Sequence, residues 1–134
     1  MTPRPLRLPP GVDLRRELER MVGEGQVRPG FVIAGIGSIV DAVLRFADRQ
    51  EESVIAGPHE VLSLAGSLTP AGAHLHASVA DNAGQVLGGH LSYGNIVRTT
   101  AELLLVETPA WALTRAPDAV MGFNELVVED RPAT

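Results

Sequence analysis

The chain has 134 residues, 45% of them apolar and 20% charged, with 11 arginines, no lysine, no cysteine, 16 acidic residues and a net charge of −5. That length suits one domain with one core. Without lysine there is no Schiff-base catalyst or P-loop, without cysteine no disulfide, thiolate nucleophile or sulfur-ligated zinc, and the negative charge opposes non-specific attachment to nucleic-acid phosphates.

The apolar fraction points to surface hidden between subunits. No apolar run reaches a membrane-spanning length, and the proline-rich start lacks the apolar centre of a signal peptide, so a soluble cytoplasmic protein with no membrane partner is expected.

In chain order, residues 1–12 read as an extended arm, 13–130 as the folded domain and 131–134 as a tail. Asp13 offers an N-cap, and Leu14, Leu18, Met21 and Val22 recur at helical spacing until Gly23 and Gly25 end the helix. Its Arg15, Arg16 and Arg20 alternate with Glu17, Glu19 and Glu24, which makes a solvated face and not a basic recognition surface. Strands are expected at Phe31–Ile36, Ala42–Ala47, Glu60–Leu68, Thr99–Glu107 and Asn124–Asp130. Gly35-Ile36-Gly37-Ser38 lacks the third glycine and the following helix of a dinucleotide fingerprint, so no nucleotide cofactor is expected and a tight turn or bulge accounts for the glycines. One helix followed by strands describes an α+β domain built mainly on an antiparallel sheet.

The segment from His74 to Leu91 holds three of the four histidines. Asn82-Ala83-Gly84 has the form of a three-residue hairpin loop with its glycine in the left-handed position, which sets Asp81 opposite Gln85, His76 opposite His90 and His74 opposite Ser92. Side chains alternate faces along a strand, so Leu75, Ala77, Val79, Leu87, Gly89 and Leu91 form an apolar face, and His74, His76 and His90 share the other. Three neutral imidazoles at that spacing can hold one divalent ion, zinc first among the candidates, with a coordination position left open. A polar face whose histidines titrate independently is the alternative.

The run from Glu60-Val61-Leu62-Ser63-Leu64-Ala65-Gly66 through the hairpin to Gly94-Asn95-Ile96-Val97-Arg98-Thr99-Thr100-Ala101-Glu102 closely resembles the plant and prokaryote conserved (PPC) domain family, and Gly35-Ile36-Gly37-Ser38 resembles that family's early glycine turn, so the likeness covers about residues 7 to 130. The resemblance implies an antiparallel sheet with flanking helices, a homotrimer as in stand-alone prokaryotic members, and a histidine metal site that carries over onto His74, His76 and His90. It also implies a regulatory or DNA-associated role. The chain has no Arg-Gly-Arg-Pro AT-hook core, so DNA association is expected to be weak or indirect. The plant Gly-Arg-Phe-Glu-Ile-Leu partner segment corresponds to Gly57-Pro58-His59-Glu60-Val61-Leu62, where Pro58 and His59 depart from it.

A competing expectation is a metal-dependent hydrolase or lyase acting on a small polar ligand, with Glu102 as a candidate general base. Ser78 and Ser92 lie near histidines, but neither sits in a nucleophile elbow or beside an oxyanion-hole loop.

Overall fold

A computed structural model describes residues 1–132. Ten strands and one helix follow one another as β1 (Thr2–Leu8), α1 (Leu14–Gly23), β2 (Gly30–Ile39), β3 (Ala42–Arg45), β4 (Ser53–Ile55), β5 (His59–Thr69), β6 (Gly72–Ala80), β7 (Val86–Leu91), β8 (Val97–Glu107), β9 (Trp111–Pro117) and β10 (Asn124–Asp130). Eight strands form an antiparallel sheet in the order β1-β8-β2-β5-β6-β7-β3-β4, and β9 and β10 pair as a separate ribbon. Among the described residues α1 is the single helix, where the resemblance implied several.

The helix starts where its cap was expected. Asp13 accepts from the Arg16 N–H at 3.1 Å and, with its other oxygen, from the Gly94 N–H at 2.7 Å, so the cap also ties the helix to the chain after β7. Leu14, Leu18 and Val22 point into the core, where α1 packs over β5 and β6 against Leu64, Leu68, Leu75 and Val79. Among its basic and acidic residues, Arg20 pairs with Glu17 and Glu24 along the helix surface, as a solvated face requires.

Residues 2–8 do not hang free as an arm. They form β1, which pairs with β8 from Thr2 opposite Glu107 to Leu8 opposite Ala101. Two of its residues are prolines, and their missing N–H groups are tolerated because β1 is an edge strand with one flank unpaired. Of the expected tail, Arg131 donates its N–H to the Ala110 carbonyl at 2.9 Å, and residues 133–134 lie outside the described part.

Gly35 and Gly37 lie within a continuous strand and not in a turn. Irregularities do flank them, since the register of β2 against β8 shifts between Val32 and Ala34 and again between Gly37 and Ile39. Close approach explains the glycines themselves: a Cβ on Gly35 would lie 2.7 Å from a Leu103 methyl, and one on Gly37 would lie 2.3 Å from the Thr100 carbonyl oxygen.

The sheet has one covered face and one open face. Ile33, Ile36, Leu62 and Leu104 are exposed on strands β2, β5 and β8 at 53%, 55%, 49% and 38%. Two buried polar residues tie distant segments together. Buried Asn95 bridges the Val43 N–H and C=O and the Ser92 carbonyl, and buried Glu107 accepts from the Arg28 N–H and from Arg4.

Candidate metal centre

The β6–β7 hairpin has the register that its loop dictates. Asp81 N–H donates to the Gln85 carbonyl and Gly84 N–H to the Asp81 carbonyl, each at 3.0 Å, and the Asp81 carboxylate accepts from the Ala83 and Gln85 N–H groups at 2.9 Å each. Gly84 has φ +78°, in the left-handed region that this loop demands of its third residue. The ladder then runs from Ala80 opposite Val86 to His76 opposite His90.

Facing follows from register. Leu75, Ala77, Val79 and Leu91 are buried, as expected of the apolar face. Leu87 departs from that expectation at 40% exposure. Its neighbour β3 pairs only with Leu91 and His90, which leaves the outer flank of β7 bare from Val86 to Gly88.

On the opposite face the three histidines meet. The ring centroids of His76 and His90 are 4.5 Å apart, those of His74 and His76 4.9 Å, and those of His74 and His90 5.2 Å. One ring nitrogen from each lies within 4.8 Å of the other two. Zinc–nitrogen bonds of about 2.0–2.1 Å in a tetrahedral arrangement put ligand nitrogens roughly 3.4 Å apart, a distance that modest ring rotations reach from here. His74 and His76 are exposed and His90 half-buried, and the exposed Gly88 adds no side chain beside them.

The local field favours the ligating form. Partial desolvation lowers the His74 pKa, reinforced by His76 and Arg115 and opposed by Glu125; partial desolvation also lowers that of His90, reinforced by Arg45 and His76. Both rings therefore hold a lone pair for a metal at neutral pH more fully than an isolated histidine does. The donor set and its common face fit a divalent ion.

The fourth histidine is elsewhere. His59 is buried at the start of β5, with Nδ1 2.8 Å from the Gly57 carbonyl oxygen. Nor does Glu102 approach the histidines: it sits on β8 opposite Arg7 and Ile36, with β2 and β5 between its strand and β6. Three strand spacings amount to about 14 Å, beyond the reach of a general base in the same chain. Ser78 hydrogen-bonds to Ser63 at 2.6 Å, and Ser92 is buried beside Asn95.

Two arginines that the sequence did not single out border the centre. Arg45 is the register partner of His90. Arg115, on β9, donates to Ser67 Oγ at 2.9 Å, and Ser67 is the register partner of His74. Strand parity along Ala42–Ala47 contained a signal for Arg45; nothing local marked Arg115, which arrives through the packing of β9 on β5.

Comparison with known proteins finds relatives both by sequence and by fold. Relatives from two Synechococcus strains, named bifunctional protein GlmU, are 44% identical over 125 residues, which is 93% of this chain; the chain spans about one fifth (20%) of their length. A hypothetical protein from Salmonella superposes with a TM-score of 0.92 at 38% identity, over 98% of this chain and 95% of that one. The metal-containing protein AF0104 of Archaeoglobus fulgidus gives a TM-score of 0.76 at 25% identity, over 95% and 94%. A Bacteroides thetaiotaomicron protein provisionally described as DNA-binding gives 0.81 at 21% identity, over 93% and 91%, a likeness of fold. The family model of the Plants and Prokaryotes Conserved (PCC) domain matches residues 1–109, taking in β1 through β8 and leaving the β9–β10 ribbon outside. With its sheet and its histidine hairpin both inside that match, the chain belongs to the Plants and Prokaryotes Conserved domain family.

Proposed function

We propose that this chain works as a homotrimeric module whose function depends on one divalent metal ion per protomer, held by His74, His76 and His90. The observation that carries the reading is the convergence of three ring nitrogens within 4.8 Å on one sheet face. Zinc is the expected ion, since three neutral imidazoles suit its tetrahedral preference and leave one position for water or a ligand. The metal-containing Archaeoglobus relative supports a metal in this fold.

The trimer is supported by the open sheet face, where Ile33, Ile36, Leu62 and Leu104 expose apolar surface that one helix cannot cover. A regulatory or DNA-associated role rests on relatives such as the Bacteroides protein. The net charge of −5 makes any direct contact with duplex weak, so association through another protein is the better route. Carriage of the same domain within the longer Synechococcus proteins supports a module over a free-standing catalyst.

Elemental analysis of protein purified without an affinity tag tests the reading. One equivalent of zinc per chain is expected, with His90→Ala losing the metal while its far-ultraviolet dichroism stays that of the wild type. Unchanged metal content in His90→Ala, or failure of the folded wild type to take up zinc, cobalt or nickel, overturns it.

A further inference from the structure

The row of side chains that crosses the sheet at the histidines continues into a cation. Ala65, His76, His90 and Arg45 are successive register partners across β5, β6, β7 and β3. One row along, Ser67 faces His74, and Ser67 is where the Arg115 guanidinium rests. Arg45 thus borders the centre on the β7 side and Arg115 on the β5 side. Directly opposed partners have Cβ atoms about 4.5–5.5 Å apart, well within the length of an arginine side chain.

Neither arginine is consumed by an ion pair. Among the described residues, the salt bridges involve Arg4, Arg15 and Arg20. Arg45 donates one nitrogen to the Arg49 carbonyl, and Arg115 donates one to Ser67, so each fork keeps further donors. Arg115 is half-buried without a carboxylate in contact, and desolvation lowers its pKa despite a favourable field from Glu125. Arg15, although near, is committed: it pairs with Glu19, lies over the Tyr93 ring and reaches the Leu91 carbonyl. In a chain of net charge −5, two guanidinium groups outside any salt bridge beside a site for a dication concentrate positive charge at one end of the sheet, offset at Arg115 only by the longer-range fields of Glu125 and Glu19.

We propose that the histidine centre receives a small oxyanion, a carboxylate or phosphate group, one of whose oxygens takes the open position of the ion while Arg45 and Arg115 hold the others from opposite flanks. The proposal rests on the metal centre inferred above and names the class of ligand that the centre selects. Guanidinium forks match the oxygen spacing of both groups, and a metal–oxygen bond supplies the third point of attachment.

Cobalt-loaded protein provides a readout independent of any turnover, because the visible bands of the ion respond when a ligand enters its coordination sphere. At constant ionic strength, inorganic phosphate and acetate are titrated separately into wild type, Arg45→Met and Arg115→Met. Saturable spectral change is expected with wild type for at least one of them, the tighter identifying the phosphate or the carboxylate class. Each substitution should weaken that binding about tenfold, the loss of one charge-assisted contact, with cobalt stoichiometry unchanged. Wild-type affinity in both variants, or a cobalt-loaded wild type whose spectrum neither anion alters, overturns the proposal while leaving the metal centre standing. A wild type that takes up no cobalt overturns the centre itself. Arg45 lies away from the core, so its variant keeps the test valid even if Arg115→Met folds poorly.

Discussion

The open face of the sheet divides into two halves that share a backbone pattern and differ in chemistry. Over β8, β2 and β5 it presents Leu104, Ile33, Ile36 and Leu62; over β6 and β7 it presents His74, His76, Ser78 and His90. Both halves stand on the same buried layer under α1. The first half is mainly apolar, with Glu102 beside Ile36 and no histidine, and is suited to covering by another protein surface, whereas the histidine half is polar, solvent-facing and bordered by arginines. A single sheet face can therefore carry association at one end and ion binding at the other, with no side chain serving both.

The sharpest way to break that division is Ile36→Asp combined with Leu104→Asp. Carboxylates forced into an apolar interface cost several kcal/mol, so self-association should weaken by about a hundredfold or more, read as a fall in mass by light scattering, with metal content per chain retained. Unchanged mass would remove these residues from the interface, and concurrent loss of metal would show that the halves are coupled.

Next in size is Leu75→Ala. Leu75 is fully buried between His74 and His76, on the reverse of the same strand, and its truncation should cost about 2–5 kcal/mol in denaturant unfolding. A loss below about 1 kcal/mol would mean that the histidine strand is not anchored by the core.

Asp81→Ala should have a smaller effect, roughly 1 kcal/mol, because it removes two exposed hydrogen bonds that close the hairpin loop. Metal affinity should fall by less than about tenfold, since Gly84 and the backbone pair still hold the register. Complete loss of metal in this variant would assign the loop, and not the ladder, the task of aligning His76 with His90.

The smallest effect is that of pH on the metal-free protein. Lowered pKa values of His74 and His90 mean that the unfolded chain binds more protons than the folded one once pH falls below about 6.5. Stability should be level above that pH and decline below it, most visibly in wild type and less in His74→Ala. A stability that rises on acidification through the same window would contradict the assigned direction.

Much of the site was legible because it is local. Asn82-Ala83-Gly84 sets a turn, the turn sets a register, and the register sets which histidines meet; no distant contact enters until the strands must choose a face. The helix was legible for the same reason, from Asp13 and the spacing of Leu14, Leu18 and Val22. What escaped depends on partners far along the chain. Prolines made β1 look like an arm, although as an edge strand it needs hydrogen bonds on only one side. Leu87 has the parity of a core residue, but burial also requires a neighbour, and β3 stops short of it. Glu102 looked available to the histidines until the strand order separated them. Arg115 reaches Ser67 across 48 positions of sequence, a contact that no local pattern encodes.

Joint binding of one ion by His74, His76 and His90 is open to anomalous diffraction at the zinc edge from crystals of the zinc-loaded protein. One anomalous peak per protomer is predicted, about 2.0–2.1 Å from a ring nitrogen of each of the three histidines, with the fourth position filled by water or an oxyanion. A peak held by other residues, or a zinc-saturated crystal with no peak between β6 and β7, would refute a shared histidine site.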